Sequence, residues 1–456
     1  MTTPTLRTAP STRSWITSVF VVFTLMGLVI ATWLGRIPSV RDSLHASTFE
    51  MGMLVLGMAV GSIAGLTFAG HIVAKLGARR GVQVAAVCLA AGMVFAGLAV
   101  TLGWGFVAIW IALIAFGFGN GLCDVSMNVS GAAAEKAGGR TIMPLFHAAF
   151  SVGTLAGAGL GALTEALDVP VVWHFTALVV VTSGAMLVAV TRFGDEHRFE
   201  EHTATDTSPV PTQITRWQVW AQPSTILIGV IVLGMALAEG SANDWLPLAM
   251  IDGHGLGNAA GSAVLTVFLA AMTVGRVAGS PLIDRFGRVP VLRASAAVAV
   301  VGLGLLIFVP SVPVAIVGVV LWGLGASLGF PMGMSAAADD PRSAALRVSA
   351  VATIGYMAFL AGPPLIGFLG EHVGLLHALL VVFAFIIAAG LASGAARERG
   401  AAARPATPVG EERDGGAPRL QDDTTDAADT AESAHTTHSG HTARTAGGTS
   451  GGRDSR

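Results

Sequence analysis

The chain has 456 residues, 53% hydrophobic and only 12% charged, with a formal net charge of −2 and a mean hydropathy of +0.69. A soluble domain is about 25% charged, so this chain cannot cover its surface with solvated groups and must face something apolar. That excludes a cytosolic enzyme, a secreted protein and a nucleic-acid binder acting through a basic field.

A bilayer core takes about 20 apolar residues per helix. Runs of this kind cover 15–35, 50–70, 81–101, 104–128, 142–164, 170–191, 223–246, 259–282, 290–309, 312–335, 347–369 and 373–394. They are numbered here as spans 1 to 12. The first lacks a small-residue cleavage site and ends in Trp33-Leu34-Gly35-Arg36, so it reads as a span and not as a leader. The expected organisation is a cytoplasmic segment 1–14, a six-helix bundle 15–192, a polar linker 193–222, a second six-helix bundle 223–395 and a tail 396–456. The tail is rich in Thr, Ala, Gly, Ser and Asp and is expected to be disordered, because it cannot bury enough surface to offset ordering. His435, His438 and His441 in it read as low-complexity sequence before they read as metal ligands. Cys88 and Cys123 lie in apolar runs and give neither a disulfide framework nor a thiolate site.

Orientation follows from the basic residues. With the amino terminus inside, the inner loops hold most Lys and Arg, including Lys75, Lys136, Arg192, Arg216, Arg293 and Arg347, while the outer connections hold only Arg36 and Arg41. Both termini are then cytoplasmic. Trp15, Trp104, Trp173, Trp217 and Trp220 near span ends read as interfacial anchors.

The two halves repeat. Gly70-His71-Ile72-Val73-Ala74-Lys75-Leu76-Gly77 follows span 2, and Ser280-Pro281-Leu282-Ile283-Asp284-Arg285-Phe286-Gly287 follows span 8, an offset of 210 residues. The same offset carries Gly119 to Gly329 and Gly157 to Gly367. The second loop resembles the G-x-L-A-D-R-x-G-R loop of the major facilitator superfamily through Asp284, Arg285, Gly287 and Arg288. The first keeps Lys75 and Gly77 but has Ala74 where the family has aspartate. The resemblance covers about residues 15–394. Met143 to Ser151, Glu239-Gly240, Asp244-Trp245 and Gly362-Pro363-Pro364 resemble a bacterial branch related to the fucose-permease group, some members of which are associated with sugar or inositol-like substrates.

This resemblance implies an all-α membrane protein of twelve transmembrane helices in two pseudo-symmetric six-helix bundles. It implies a monomer in a bacterial-type inner membrane, no cofactor, and spans 2, 5, 8 and 11 at the contact between halves. Small residues recur every four positions at Gly57, Gly61 and Gly65, at Gly153, Gly157 and Gly161, and at Ala271, Gly275 and Gly279. Such stripes allow close helix approach, and they are assigned to that contact, with packing inside a bundle as the alternative.

Polar groups within a membrane face a cavity or a partner. Asn120, Asp124 and Asn128 share one face of span 4. His147 starts span 5, and Arg276 lies at similar depth in span 8. Glu239 falls near the middle of span 7, Asn243 one turn beyond it, Asp244 near the outer edge, and Arg36 at the outer end of span 1. Each has a plainer account: Asn128 as a helix cap, Asp124 as a partner of His147 or Arg276, His147 as a terminus ligand, Asp244 and Arg36 as interfacial. Glu239 is the hardest to dismiss, and Arg36 is the nearest cation at its level. The expected substrate and proton set is therefore Glu239, Asn243, Asp124, Asn120, Asn128, His147 and Arg36. The expected gating set is Lys75, Asp284, Arg285, Arg288, Arg276 and Asp244, with Asp284 reaching the start of span 5 near Thr141 to Pro144.

No H-E-x-x-H, G-x-S-x-G or phosphate-binding loop occurs, so neither an enzyme nor direct ATP coupling is expected. The leading expectation is a secondary active transporter, a proton-coupled importer of a small polar, sugar- or polyol-like solute. Its partners are that solute, protons and the lipid bilayer, and not nucleic acid. Proton-driven efflux and a non-transporting receptor or scaffold are the alternatives.

Overall fold

Chain breaks in a membrane helix must satisfy their own backbone groups, and the local sequence supplies the means. Ser11 caps span 1 by accepting from the Ser14 N–H, and Ser47 with Glu50 forms a capping box at the start of span 2. Gly139 and Gly255 end their helices in the left-handed conformation at φ 62° and 71°. A computed structural model describes residues 11–139, 142–194, 215–340 and 343–397. The expectations for residues 1–10, most of the linker and the tail from 398 onward fall outside the described residues.

Among the described residues, eleven helices are long and apolar enough to cross a membrane. One of them, Thr48–Thr101, has 54 residues, about 80 Å at 1.5 Å per residue and too long for one crossing. It breaks at Gly77, with φ 80° and ψ 158°, into 48–76 and 78–101, which are spans 2 and 3. Gly287, 210 positions later, divides spans 8 and 9 with φ 79° and ψ 164°. The repeated loop thus makes the same turn twice, in a region of backbone space that favours glycine.

The remaining spans are Thr12–Leu34, Phe106–Gly138, Met143–Ala166, Val171–Ala189, Pro223–His254, Asn258–Phe286, Arg288–Phe308, Val312–Ala326 continued by Gly329–Ala337, Ala344–Val373, and Leu375–Ala378 continued by Leu380–Ala392. A short helix, Ile37–Leu44, joins spans 1 and 2, and another, Arg216–Trp220, precedes span 7.

Packing repeats with the sequence. Span 1 packs on 5 as 7 packs on 11, span 3 on 6 as 9 on 12, and span 4 on 2 and 3 as 10 on 8 and 9. Spans 2 and 5 of the first half meet 11 and 8 of the second. The starts of odd spans and the ends of even spans gather at one end, here called the terminal end; the other is the far end. At the terminal end, Trp15 lies against Gly194, and the Arg288 guanidinium donates to the Ala396 carbonyl. Trp15 is thus not an interfacial anchor: it is buried, and its indole N–H donates to Ser130 at 2.9 Å. Trp104, Trp173, Trp217 and Trp220 are exposed.

The small-residue stripes do not lie between the halves. Gly61 and Gly65 sit against the Ile114 and Phe118 carbonyls of span 4. Gly153 and Gly157 face Thr24 and Leu28 of span 1, and Gly275 and Gly279 face Ser327 and Leu328 beside span 10. All three stripes close contacts inside a bundle. The tight contact between halves is elsewhere: a Cβ at Gly52 would come within 2.7 Å of the Pro363 carbonyl oxygen.

Candidate functional site

A cavity of about 320 Å³ opens between spans 1, 2, 4 and 5 of the first half and spans 7 and 11 of the second. Its walls are mostly apolar, with Met26, Ile30, Val55, Met58 and Phe150 among them. Its polar members are Ser62, Asn120, Asp124, Asn243, Asp244 and Tyr356. The volume lies at the low end of small-molecule sites, where a few placed polar groups in an apolar wall fix orientation.

Helical spacing explains the span 4 contribution. Asn120, Asp124 and Asn128 stack at i, i+4. Asn128 donates to the Asp124 carboxylate at 3.2 Å and to its carbonyl at 2.8 Å, and Asn120 donates to the Ser62 hydroxyl of span 2 at 3.2 Å. Asn128 therefore steadies Asp124 and does not cap span 4, which runs on to Gly138. Asp124 does not pair with His147 or Arg276. Its side chain is exposed where it lines the cavity.

Span 7 contributes Asn243 and Asp244. Asp244 is only 7% exposed and lines the cavity, so it belongs to the interior and not to the outer edge. Among the described residues it makes no hydrogen bond or ion pair. The Asn243 Oδ1 is buried without a partner. Pro247 lies one turn on within the same helix and has no N–H, so the Asn243 carbonyl loses its usual donor as well. Tyr356 of span 11, the chain's single tyrosine, stands on the second half's side of the cavity. Sequence reasoning missed it, although its uniqueness in an apolar helix was a usable signal.

Glu239 is outside this cavity lining. Its carboxylate accepts from the Arg276 guanidinium of span 8 at 2.9 Å, and the same guanidinium reaches the Ser151 hydroxyl of span 5 at 3.5 Å. Arg276 is therefore the partner of Glu239 and a link between the halves. Arg36 is not that partner. It is 3% exposed at the far end, its Nε lies 3.1 Å from the Glu165 carboxylate, and it donates to the Val169 carbonyl at 2.7 Å. Ser39 donates to the same carboxylate. Glu165, at the end of span 5, was not among the sequence candidates. His147 is exposed, and its ring stands edge-on to Phe23 at 5.3 Å.

The gating candidates separate. Lys75, Asp284 and Arg285 are exposed at the terminal end and make no hydrogen bond or ion pair among the described residues; Arg285 lies over the Phe286 ring at 5.2 Å. Asp284 does not cap span 5. The Ile142 and Met143 N–H groups donate instead to the Glu135 carboxylate, each at 2.6 Å; Thr141 lies outside the described residues. A glutamate of the same half already fills that anion-favouring helix start. Arg288 binds Asp339 at 2.7 Å inside the second half. The far end carries the contacts between halves: Arg41 with Asp252 at 2.7 Å, Asn258 to Asp42 at 2.6 Å, Ser262 to the Gly35 carbonyl at 3.0 Å, and the Phe49 N–H to Glu371 at 3.3 Å.

Two six-helix repeats around a mostly apolar cavity with a few polar groups define a membrane transporter fold. The sequence profile of the Major Facilitator Superfamily matches residues 18–264 and again 236–421. The chain belongs to that superfamily. It is 30% identical over 375 residues to the uncharacterized transporter y4wD of Sinorhizobium fredii, covering 80% of this chain and 96% of the relative. It is 28% identical over 389 residues to the membrane protein MosC of Rhizobium meliloti, covering 85% and 90%. Among solved structures it is similar in fold to a D-xylose-proton symporter, with TM-score 0.68, 16% identity and coverage of 84% and 97%. It is also similar in fold to the nucleoside transporter NupG, with TM-score 0.66, 14% identity and coverage of 84% and 98%. As a member of that superfamily the chain is a transporter and not an enzyme.

Proposed function

We propose that the chain imports a small polar solute of sugar or polyol size, coupled to protons, by alternating access between bundles 15–192 and 223–395. The observation that carries this reading is the cavity to which both halves contribute hydrogen-bonding groups, Asn120 and Asp124 from one and Asn243, Asp244 and Tyr356 from the other. A solute held by both halves is released when they part, which is what alternating access requires. The solved fold relatives named for D-xylose with protons and for nucleosides support the size class, as does the fucose-permease-like sequence around Glu239 and Pro363. Both termini are cytoplasmic in this reading, the membrane is the bacterial inner membrane, and the monomer is the working unit.

Glu239 is the coupling residue in this proposal. Its partner Arg276 also touches Ser151 of the opposite half, so movement between halves bears on how the cation is held beside the acid. The test is flux in proteoliposomes under an imposed pH gradient. The wild type accumulates solute. Glu239→Gln loses accumulation at least tenfold and retains solute exchange. Normal accumulation by Glu239→Gln removes this residue from the coupling role, and absence of any solute flux in the wild type overturns the transporter reading.

A further inference from the structure

The charged groups of the cavity are all of one sign. Asp124 and Asp244 both line it, and no Lys, Arg or His does. Asp244 is 7% exposed with no partner among the described residues, Asn243 Oδ1 is buried and unsatisfied, and the Asn243 carbonyl has lost its donor to Pro247. These are acceptors. On the donor side, Asn128 is engaged with Asp124 and one Asn120 N–H with Ser62. That leaves the second Asn120 N–H, the Ser62 hydroxyl, the Asn243 amide and the Tyr356 hydroxyl, all of them neutral, so the two acids have no cation to face. A neutral polyol brings donors and acceptors in equal number and no charge. An ammonium brings three donors, one positive charge and no acceptor.

Resting on the transporter reading above, we propose that the carried solute is a small amine, held with its ammonium group toward Asp124 and Asp244 and its carbon body against Met26, Ile30, Val55 and Phe150. Two carboxylates facing one mostly apolar cavity within the membrane-spanning region are costly without a counter-charge. The cation supplies it, and it does so between span 4 of one half and span 7 of the other. The ligand thereby becomes the ion bridge between the halves at the level of the cavity. Glu239 is not needed for this recognition, because Arg276 already neutralises it.

The test uses the purified full-length chain and thermal unfolding at pH 7 with four probes. Cyclohexylamine and 2-aminocyclohexanol carry the charge; cyclohexanol and cis-1,2-cyclohexanediol are their neutral counterparts. The amines are expected to raise the unfolding midpoint saturably, and the neutral counterparts at equal concentration to leave it in place. Asp244→Asn and Asp124→Asn are each expected to weaken amine binding at least tenfold. Equal stabilisation by the neutral probes, absence of any amine effect, or unchanged amine affinity in both variants overturns the proposal. If a variant does not fold, the wild-type comparison of charged and neutral probes decides alone. Proton-driven uptake of a neutral polyol into proteoliposomes, without amine binding, overturns this inference and leaves the transporter reading standing. Amine binding without flux of any probe supports the recognition of an ammonium by the two acids and overturns both the transport reading and the claim that the amine is carried.

Discussion

The two ends of the helical body are held in different ways. At the far end, polar groups of opposite halves meet directly: the Arg41 side chain with Asp252, Asp42 with Asn258, the Gly35 carbonyl with Ser262, and the Phe49 N–H with Glu371. At the terminal end, Lys75, Asp284 and Arg285 stand exposed without such partners, while Arg288 and Glu135 are used inside their own halves. Among the described residues, the loop that the sequence repeats makes no contact of this kind, and the unrepeated residues at the far end hold the halves together. Under the proposed orientation the terminal end is the cytoplasmic one. An alternating-access protein stores one of its two latches unused.

The contrast can be broken from its most buried point outward. Glu165→Ala leaves Arg36 buried with its counter-ion gone. A loss of about 3–5 kcal/mol is expected, read as a lowered thermal unfolding midpoint, and the double variant Arg36→Met with Glu165→Leu recovers most of it. A midpoint equal to wild type for Glu165→Ala would show that the ion pair is not what anchors the far end of the first half.

Next in size is Gly52→Val, which drives side-chain atoms into the Pro363 carbonyl. Overpacking costs about 1–3 kcal/mol, and here it falls on the far-end-closed state alone. The buried Ser262 replaced by cysteine reports opening: its labelling by maleimide should speed at least fivefold in Gly52→Val. An unchanged rate would mean that Gly52 does not sit on the moving contact.

Arg41→Ala removes a partly exposed pair worth about 1 kcal/mol or less. The same reporter should speed about two- to fivefold, and less at high salt. A larger change than that of Gly52→Val would reverse the order of the two contacts.

Smallest in stability is Asp284→Asn, expected to stay within about 0.5 kcal/mol of wild type because the carboxylate is exposed and makes no hydrogen bond or ion pair among the described residues. Its transport rate should nevertheless fall more than that of Ala74→Asp, whose loop lacks the acid to begin with. A stability loss matching that of Arg41→Ala would mean that the terminal-end latch is engaged after all.

Much of the architecture was legible in the sequence because apolar length and the 210-residue repeat are properties of the chain alone. Gly77 and Gly287 even announced their shared turn. Partnerships were less legible. A four-residue glycine stripe says that some helix comes close, and says nothing of which one, so the neighbours expected for Gly61 and Gly153 differ from those they have. Depth along a helix placed Glu239 beside Arg36 and kept it apart from Arg276, because depth ignores both the direction in which a side chain leaves its helix and the reach of an arginine. Asp284 was given the start of span 5 on family grounds, and Glu135, seven residues before Ile142, had taken it. The cavity was half visible: its acids and amides stood out in apolar runs, whereas Tyr356 and the bare carbonyl at Asn243 become meaningful only once spans 7 and 11 are side by side.

Pro363 and Pro364, adjacent in span 11, carry a mechanical consequence. Neither has an N–H, so the carbonyls of Phe359 and Leu360 lose their usual helical donors and the rod is soft at one level. That level separates Tyr356 on the cavity from Glu371 at the far end. Span 11 is therefore two levers with a flexure between them. Under the proposed alternating access, the far lever can lift from Gly52 while the near one keeps Tyr356 at the cavity, so opening the mouth and loosening the grip on a solute would be successive events.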